Sequence, residues 1–458
     1  MAGIVVCGGG VVGLSAATML ARDGHAVTVL EPDPDGPPAP AATAWGTWKR
    51  RGVVQFHQPH GLFARFRQVC EEELPGLCER LAAAGCVRLN RIDAAPPGIR
   101  ERRPGDERFE IVTGRRPVVE AVFAEVAAEH VDVRRGVVVT GLLTGPSDLA
   151  GVPHVTGVVT DDGERIHADL VVDATGRRGP TERWLAAIGA APPLVEGQDA
   201  RFVYYTRFLR GSPPALRGPA LAPLGSITAL TLAADNDTWS VTLFGASTDT
   251  PVKALRHREV FDRVVAACPL QAHWLDGEAL NGVSVMAGAI DRYRRFVVDG
   301  RPVATGYAAV GDAWACTNPS AGRGLTVGIL HAQALRAAVR EHLGDPAAFA
   351  TVWDERTERV VTPFYRSQLA ADRARLAEMD ALRRGEAPPP PDPAQARFGA
   401  AVGQDPDAFR GMLDMLMCLA QPQEVFARPA VQAAVAVAGD PVPLPGPDRE
   451  RLLALLAA

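Results

Sequence analysis

Residues 4–13 read Ile4-Val5-Val6-Cys7-Gly8-Gly9-Gly10-Val11-Val12-Gly13. The apolar run Ile4 to Val6 has the composition of a short buried strand. The glycines that follow stand at a mechanically meaningful spacing. Gly8 permits a tight turn. Gly10 removes a side chain where backbone must approach a pyrophosphate, and Gly13 lets the next helix pack close to the strand. Leu14 to Arg22 continues as that helix, whose N-terminus, with Val12 on it, offers free N–H groups and a positive dipole end to phosphate. Ala26-Val27-Thr28-Val29-Leu30 then reads as a second strand ending at Glu31. An acid at that strand end, about 20 residues on, accepts hydrogen bonds from a ribose diol and repels a 2′-phosphate, which disfavours NADP. Strand, glycines, helix, strand and acid in this order describe a dinucleotide site of the Rossmann kind. A glycine turn in an unrelated α/β unit would not need the rest.

A second glycine-rich segment stands about three hundred residues on: Val310-Gly311-Asp312, then Asn318-Pro319-Ser320-Ala321-Gly322-Arg323-Gly324. A dinucleotide long enough to engage both ends of a chain points to FAD. The chain has 458 residues, 47% hydrophobic and 22% charged, with net charge −5, the composition of an ordinary soluble enzyme of two or three domains. No basic stripe argues for nucleic acid. Seven cysteines, an odd number without a CxxC pair, read as free thiols of a cytoplasmic protein. Cys70, Cys78 and Cys86 match no usual zinc pattern, so no metal is expected. The N-terminal apolar run lacks a basic leader and is broken by glycines, unlike a signal peptide. No stretch reaches the apolar length of a membrane span, so no stable membrane insertion is expected.

Apolar periodicity predicts helices over Gly61 to Gly85 and Arg116 to His130, the latter with Pro117 in its first turn. Strands are expected at 131–133 and 137–140, a hairpin at 155–159 and 165–168, and a buried strand at 168–173 ending in the turn Ala174-Thr175-Gly176. Beyond residue 195 the pattern becomes β-rich, with strands at 201–210, 226–234 and 238–244. Val303 to Val310 returns as a buried strand, and Gly324 to Leu343 as a long helix. Pro388 to Pro393 reads as a linker before a largely helical tail ending in Arg449 to Ala458, whose apolar face is expected to pack on the main body. The fold class that follows is α/β, a Rossmann-like FAD-binding fold of the glutathione-reductase type with an inserted, mostly antiparallel β substrate domain and a helical C-terminal region. The expected division is 1–190 and 291–345 for the two parts of the FAD-binding domain, 191–290 for the insert and 346–458 for the helical region.

Asp312, Pro319, Gly322 and Gly324 resemble, position by position, the second FAD motif of the flavin-dependent aromatic hydroxylase superfamily. Arg116-Pro117-Val118-Val119-Glu120 is similar to that family's helix-starting, cofactor-contacting arginine. Arg51-Gly52-Val53-Val54-Gln55, with His57 and His60, and Tyr204-Tyr205-Thr206-Arg207 resemble segments of bacterial natural-product hydroxylases and epoxidases. The resemblance spans residues 1 to about 345 and fades over the C-terminal hundred. It implies FAD held by Gly8, Gly10, Val12, Gly13 and Glu31 at the ADP half, Arg51 and Arg116 in the middle, and Asp312, Pro319, Gly322 and Gly324 at the riboflavin half. It also implies a monooxygenase that uses a flavin C4a-hydroperoxide and molecular oxygen to hydroxylate or epoxidise a small hydrophobic substrate.

Asp173-Ala174-Thr175-Gly176 stands where many relatives carry an Asp-Gly motif tied to FAD and NAD(P)H use, and no second GxGxxG is present. Reduction by NAD(P)H directly or through a separate flavin reductase both stay open. Candidates for the flavin and substrate pocket are His57, His60, Tyr204, Tyr205, Arg207, Trp314 and Asn318, against plain structural roles for each. Cys316 is read as a buried cysteine ahead of a covalent flavin anchor. The alternatives are a flavin-dependent halogenase, whose Trp-x-Trp-x-Ile-Pro stretch is absent because Trp45-Gly46-Thr47-Trp48 has another spacing, a flavoprotein reductase, and, last, a non-enzymatic binding protein.

Overall fold

A five-stranded parallel sheet carries the opening unit, in the order Tyr307–Ala309, Leu170–Asp173, Gly3–Cys7, Ala26–Glu31, Asp132–Arg135. The computed structural model describes residues 1–199 and 201–458. The first strand is apolar throughout because both its faces are covered. Ile4 and Val6 pack with Leu14 and Ala17 of the helix Val11–Arg22 and with Ile329 and Leu335 of the helix Gly324–His342. Val5 and Cys7 face Leu142, Val155 and Trp184. On that side lies a three-stranded antiparallel sheet, Val139–Gly145, His154–Thr160 and Arg165–His167.

The insert is built on a six-stranded sheet centred on the antiparallel pair Phe202–Arg210 and Thr238–Ala246. One face packs Val241, Leu243, Phe261 and Val264 against Leu452 and Leu455 of the terminal helix Arg449–Ala457, so the apolar stripe of the tail is core. The other face, with Tyr204 and Phe244, meets Leu376 and Met379 of the helix Thr362–Arg384. The prolines 388–391 are exposed. Beyond them Arg410 reaches back to Asp106, donating to both carboxylate oxygens at 2.9 and 2.6 Å, while Phe409 and Leu413 cover Ile92, Phe109 and Ile111.

Two expected elements differ. The helix read over Gly61 to Gly85 is a strand, Pro59–Leu62, followed by two helices, Ala64–Glu73 and Leu77–Ala83. Pro75 has no N–H to give, and Gly76 takes φ +84°, so the chain turns there. The strand read over Val303 to Val310 is only Tyr307–Ala309. Gly306, at φ +68°, packs so tightly that a Cβ would stand 2.2 Å from the Val155 carbonyl oxygen. Its positive φ interrupts the extended run just before the strand, although its carbonyl still accepts the Val171 N–H at 3.0 Å.

Candidate functional site

Both glycine segments open onto one cleft. It encloses about 2130 Å³, solvent at its mouth included, and its wall carries Gly8, Gly10, Val12, Gly13, Glu31, Arg116, Asp312, Pro319, Gly322 and Gly324. The glycines divide by what surrounds them. A Cβ on Gly8, at φ +115°, would stand 2.4 Å from the Ala174 carbonyl oxygen, and one on Gly13 would stand 2.1 Å from the Gly8 carbonyl oxygen. These two are glycine because backbone meets backbone. Gly10, Gly322 and Gly324 have no atom within 4 Å of such a Cβ. Their missing side chains leave space inside the cleft, the cradle that a long cofactor would fill. Gly10 caps the helix Val11–Arg22 without a side chain, so the first-turn N–H groups are left for an anion. The Val12 side chain is wedged against Gly311 and Gly328, where a Cβ would come within 3.1 and 2.5 Å of it. The two glycine segments are thus locked together through one residue.

Glu31 is buried and already engaged. Its Oε2 accepts the Gly9 N–H at 2.7 Å and its Oε1 the Asp33 N–H at 2.9 Å. The cation that neutralises it is Arg50, which also pairs with Asp33 and Glu120, at 2.8, 2.9 and 3.1 Å for the three acids. Arg51, the arginine expected here, is exposed and absent from the wall; only its backbone N–H reaches Asp33, at 3.3 Å. The chain turns at Arg51-Gly52, the Val53 N–H donating to the Arg50 carbonyl at 3.3 Å, so Arg50 faces the cleft and Arg51 the solvent. Arg116 donates to Glu120 at 2.5 Å and to His60 Nε2 at 3.1 Å. His60 Nδ1 faces the Gln58 carbonyl at 2.8 Å, which makes Nδ1 the protonated nitrogen and Nε2 the acceptor. Burial, and then the Arg116 charge, bring its pKa down to about 3, so His60 is neutral.

At the other end Asp312 faces Arg177, 3.7 Å away. Tyr204 lines the cleft and donates to Asn318, which lies just behind the wall and whose N–H donates to Asp291 at 2.6 Å. Tyr205 and Arg207 do not reach the cleft. Tyr205 is in the core beneath the sheet, and Arg207 pairs with Asp262 of the helix Arg258–Ala266. The period of two along the strand separates them from Tyr204 and Thr206, the latter donating to Gln58 at 2.9 Å. His57 is exposed and edge-on to Trp45. Trp314 lines a smaller neighbouring pocket with Gly311 and Asp312, against His331. Cys316 is a buried thiol whose pKa burial raises to about 11, which makes it a poor nucleophile.

The helix Thr362–Arg384 adds a group that no motif announced. Buried Asp372 accepts from Ser320 of the cleft wall and from Gln368, at 3.0 Å for the latter, through one oxygen; its other oxygen has no partner among the described residues. Desolvation raises its pKa to about 6, with Asp291 adding to the rise and Ser320, Gln368 and Arg323 opposing it. A folded-state pKa above the unfolded value favours folding fully only below about pH 4, and that contribution is lost as pH rises through 6. Asp372→Asn is therefore expected to stabilise the protein by about 1–3 kcal/mol at pH 7 and by little at pH 4. Melting curves at the two pH values check this, and an equal effect at both would refute it.

Residues 3–91 match the family model described as FAD dependent oxidoreductase. No curated protein matches the chain. Among solved structures the chain is similar to PyrE3, a Diels-Alderase in the biosynthetic pathway of pyrroindomycins (19% identity, TM-score 0.59, covering 91% of this chain and 80% of that one). It is also similar to PqsL, a probable FAD-dependent monooxygenase from Pseudomonas aeruginosa (17%, 0.62, 84% and 98%), and to the flavin-dependent brominase Bmp2 (15%, 0.59, 94% and 96%). Three chemistries on one scaffold leave the reaction to the site. The fold is that of the FAD-dependent oxidoreductases, and it begins with the segment that the family model matches.

Proposed function

We propose that this chain is an FAD-dependent monooxygenase that hydroxylates or epoxidises a hydrophobic small molecule of natural-product metabolism. The observation that carries the reading is continuity: the cleft that joins both glycine segments runs on into an apolar compartment lined by Leu221, Leu230, Leu232, Phe244 and Met286 of the insert. Gly8, Gly10, Val12, Gly13 and Glu31 would hold the ADP half, with Arg50 in the place first given to Arg51. Arg116 would brace the middle, and Asp312, Pro319, Gly322 and Gly324 the riboflavin half. FAD bound there would supply the activation of molecular oxygen. The chain's own residues position the substrate, keep water away from the apolar compartment and keep His60 neutral beside Arg116.

A halogenase is disfavoured because the Trp-x-Trp-x-Ile-Pro stretch is absent, and because the lysine that a resemblance to halogenases would imply in the site is missing: Lys49 and Lys253, the chain's two lysines, are both exposed and neither lines the cleft. Direct reduction by a nicotinamide is disfavoured by Asp173. Its carboxylate is fully engaged, accepting from the Thr175 N–H and hydroxyl at 3.0 and 2.6 Å, from Thr181 at 2.6 Å and from Tyr307 at 2.7 Å. A separate flavin reductase is therefore the proposed electron source, and seven buried thiols suit a reducing cytoplasm.

The test is anaerobic. The FAD-loaded protein is expected to bleach slowly with NADH or NADPH alone and quickly when a flavin reductase is added. Failure to bind FAD after reconstitution refutes the reading. Rapid bleaching by the nucleotide alone refutes the two-component form. On readmission of ¹⁸O₂ with a panel of electron-rich aromatics and alkenes, label in the product is expected. A halide-dependent product would give the halogenase instead.

A further inference from the structure

The arginines of the cleft are balanced, with one exception. Arg50 has three carboxylates and Arg116 has Glu120. Arg177 faces Asp312 and donates to the Thr317 carbonyl at 3.0 Å. Arg178 is exposed. Arg91, half-buried, lines the same cleft, yet among the described residues no carboxylate, carbonyl or ring pairs with it; its Nε, like that of Arg177, has no hydrogen-bond partner. Burial alone lowers its pKa, to about 10, so it remains cationic at neutral pH.

Its position is built. Arg91 opens the short helical turn Arg91–Ala94 directly after the strand Val87–Asn90. Asn90 fixes that turn, accepting the Ile92 N–H at 3.0 Å and donating to the Asp106 carbonyl at 2.7 Å. Neighbouring Asp93 is turned outward to Arg102, 2.8 Å away. Along the central strand of this small sheet, Asn90 pairs with Glu110 and His60 with Gly114. Asn90 therefore stands roughly 13 Å along the sheet from His60, at about 3.3 Å per residue, and Arg91 follows it. The same cleft also carries apolar side chains, Phe63, Ile111, Leu230, Leu232 and, from the C-terminal region, Leu416.

Arg91 is half-buried, and a guanidinium partly withdrawn from water without a counter-charge gains from pairing with one. With no partner among the described residues, the Arg91 guanidinium is available to an anion that enters the cleft. The guanidinium fork matches a carboxylate in particular. We infer that the substrate is a hydrophobic organic acid whose carboxylate is bound by Arg91, with its carbon skeleton against Phe63, Ile111, Leu230 and Leu232. This inference rests on the proposed monooxygenase reading and adds the substrate class to it.

The test uses the FAD-loaded protein and a panel of one- to three-ring aryl carboxylic acids, each beside its primary amide. Binding is read in two ways, by perturbation of the flavin spectrum and by melting temperature, the second independent of flavin. Acids are expected to bind at least about tenfold more tightly than their amides. Arg91→Met should abolish the preference with FAD retained, and Arg91→Lys should keep part of it. Acids no tighter than amides, including the case where neither binds, would overturn the inference, as would a preference that survives in Arg91→Met. Loss of FAD binding itself would instead count against the monooxygenase reading, and the melting-temperature titrations would still report on Arg91.

Discussion

Gly10→Val is expected to give a folded protein that purifies without FAD. A β-carbon on Gly10 meets no atom within 4 Å, and the residue already has φ −80°, a conformation open to any amino acid. The fold should lose only the modest preference of a helix N-cap for glycine over valine, about 1 kcal/mol. The new methyl groups would enter the space where a pyrophosphate must come within hydrogen-bonding distance of the first helical turn. Losing two charge-assisted hydrogen bonds at about 1.5 kcal/mol each is worth at least a hundredfold in affinity. Gly13→Val makes the contrast, because its β-carbon would lie 2.1 Å from the Gly8 carbonyl oxygen; that variant should fail to fold. Circular dichroism and flavin titration of the pair separate the two roles. A Gly10→Val protein that still purifies yellow would refute the assignment of this turn to the cofactor.

The same contrast shows what a sequence reveals and what it hides. Glycine spacing, a buried strand and an acid at the next strand's end are local features; they led correctly to the parallel sheet, and the residues they single out stand on the wall of one cleft. Tyr204 and Tyr205 were equivalent in sequence; only the pairing of Phe202–Arg210 with Thr238–Ala246, and the side on which the helix Arg258–Ala266 packs, sends one to the cleft and the other to the core. Asp372 and Leu416 were invisible for a different reason. They lie 48 and 92 residues beyond Gly324, where the last motif ends, and reach the site through the packing of helices. Arg91 carried a signal that was available: an arginine between the apolar strand positions Val87 and Leu89 and the buried Ile92. Its meaning needed the absence of a partner, which no linear reading supplies.

Arg50→Ala is the second large effect expected. Arg50 is 7% exposed and stands between three carboxylates, those of Glu31, Asp33 and Glu120, with Trp48 beneath its guanidinium at 5.3 Å and the Gly9 carbonyl at 3.3 Å. Removing one member of a buried ionic cluster leaves the others uncompensated and typically costs about 3–5 kcal/mol. Here the remainder is three acids of like sign against two cations, Arg116, which already pairs with Glu120, and Arg135, which lies within electrostatic reach of all three acids. The loss has a second consequence at the cleft. A dinucleotide brings its own negative charges to the Gly10 turn, and Glu31 can turn spare lone pairs to a ribose only while its charge is balanced. Arg50→Ala should therefore lower the melting temperature by several degrees and weaken FAD by at least tenfold. Glu120→Gln in the same chain should recover part of the stability, since it removes one of the orphaned charges. Arg51→Ala, one residue away on the exposed side, should change stability by less than about 0.5 kcal/mol. Equal effects from the two single variants would return the role to Arg51 and would mean that the carboxylate cluster is not what holds this end of the cleft together.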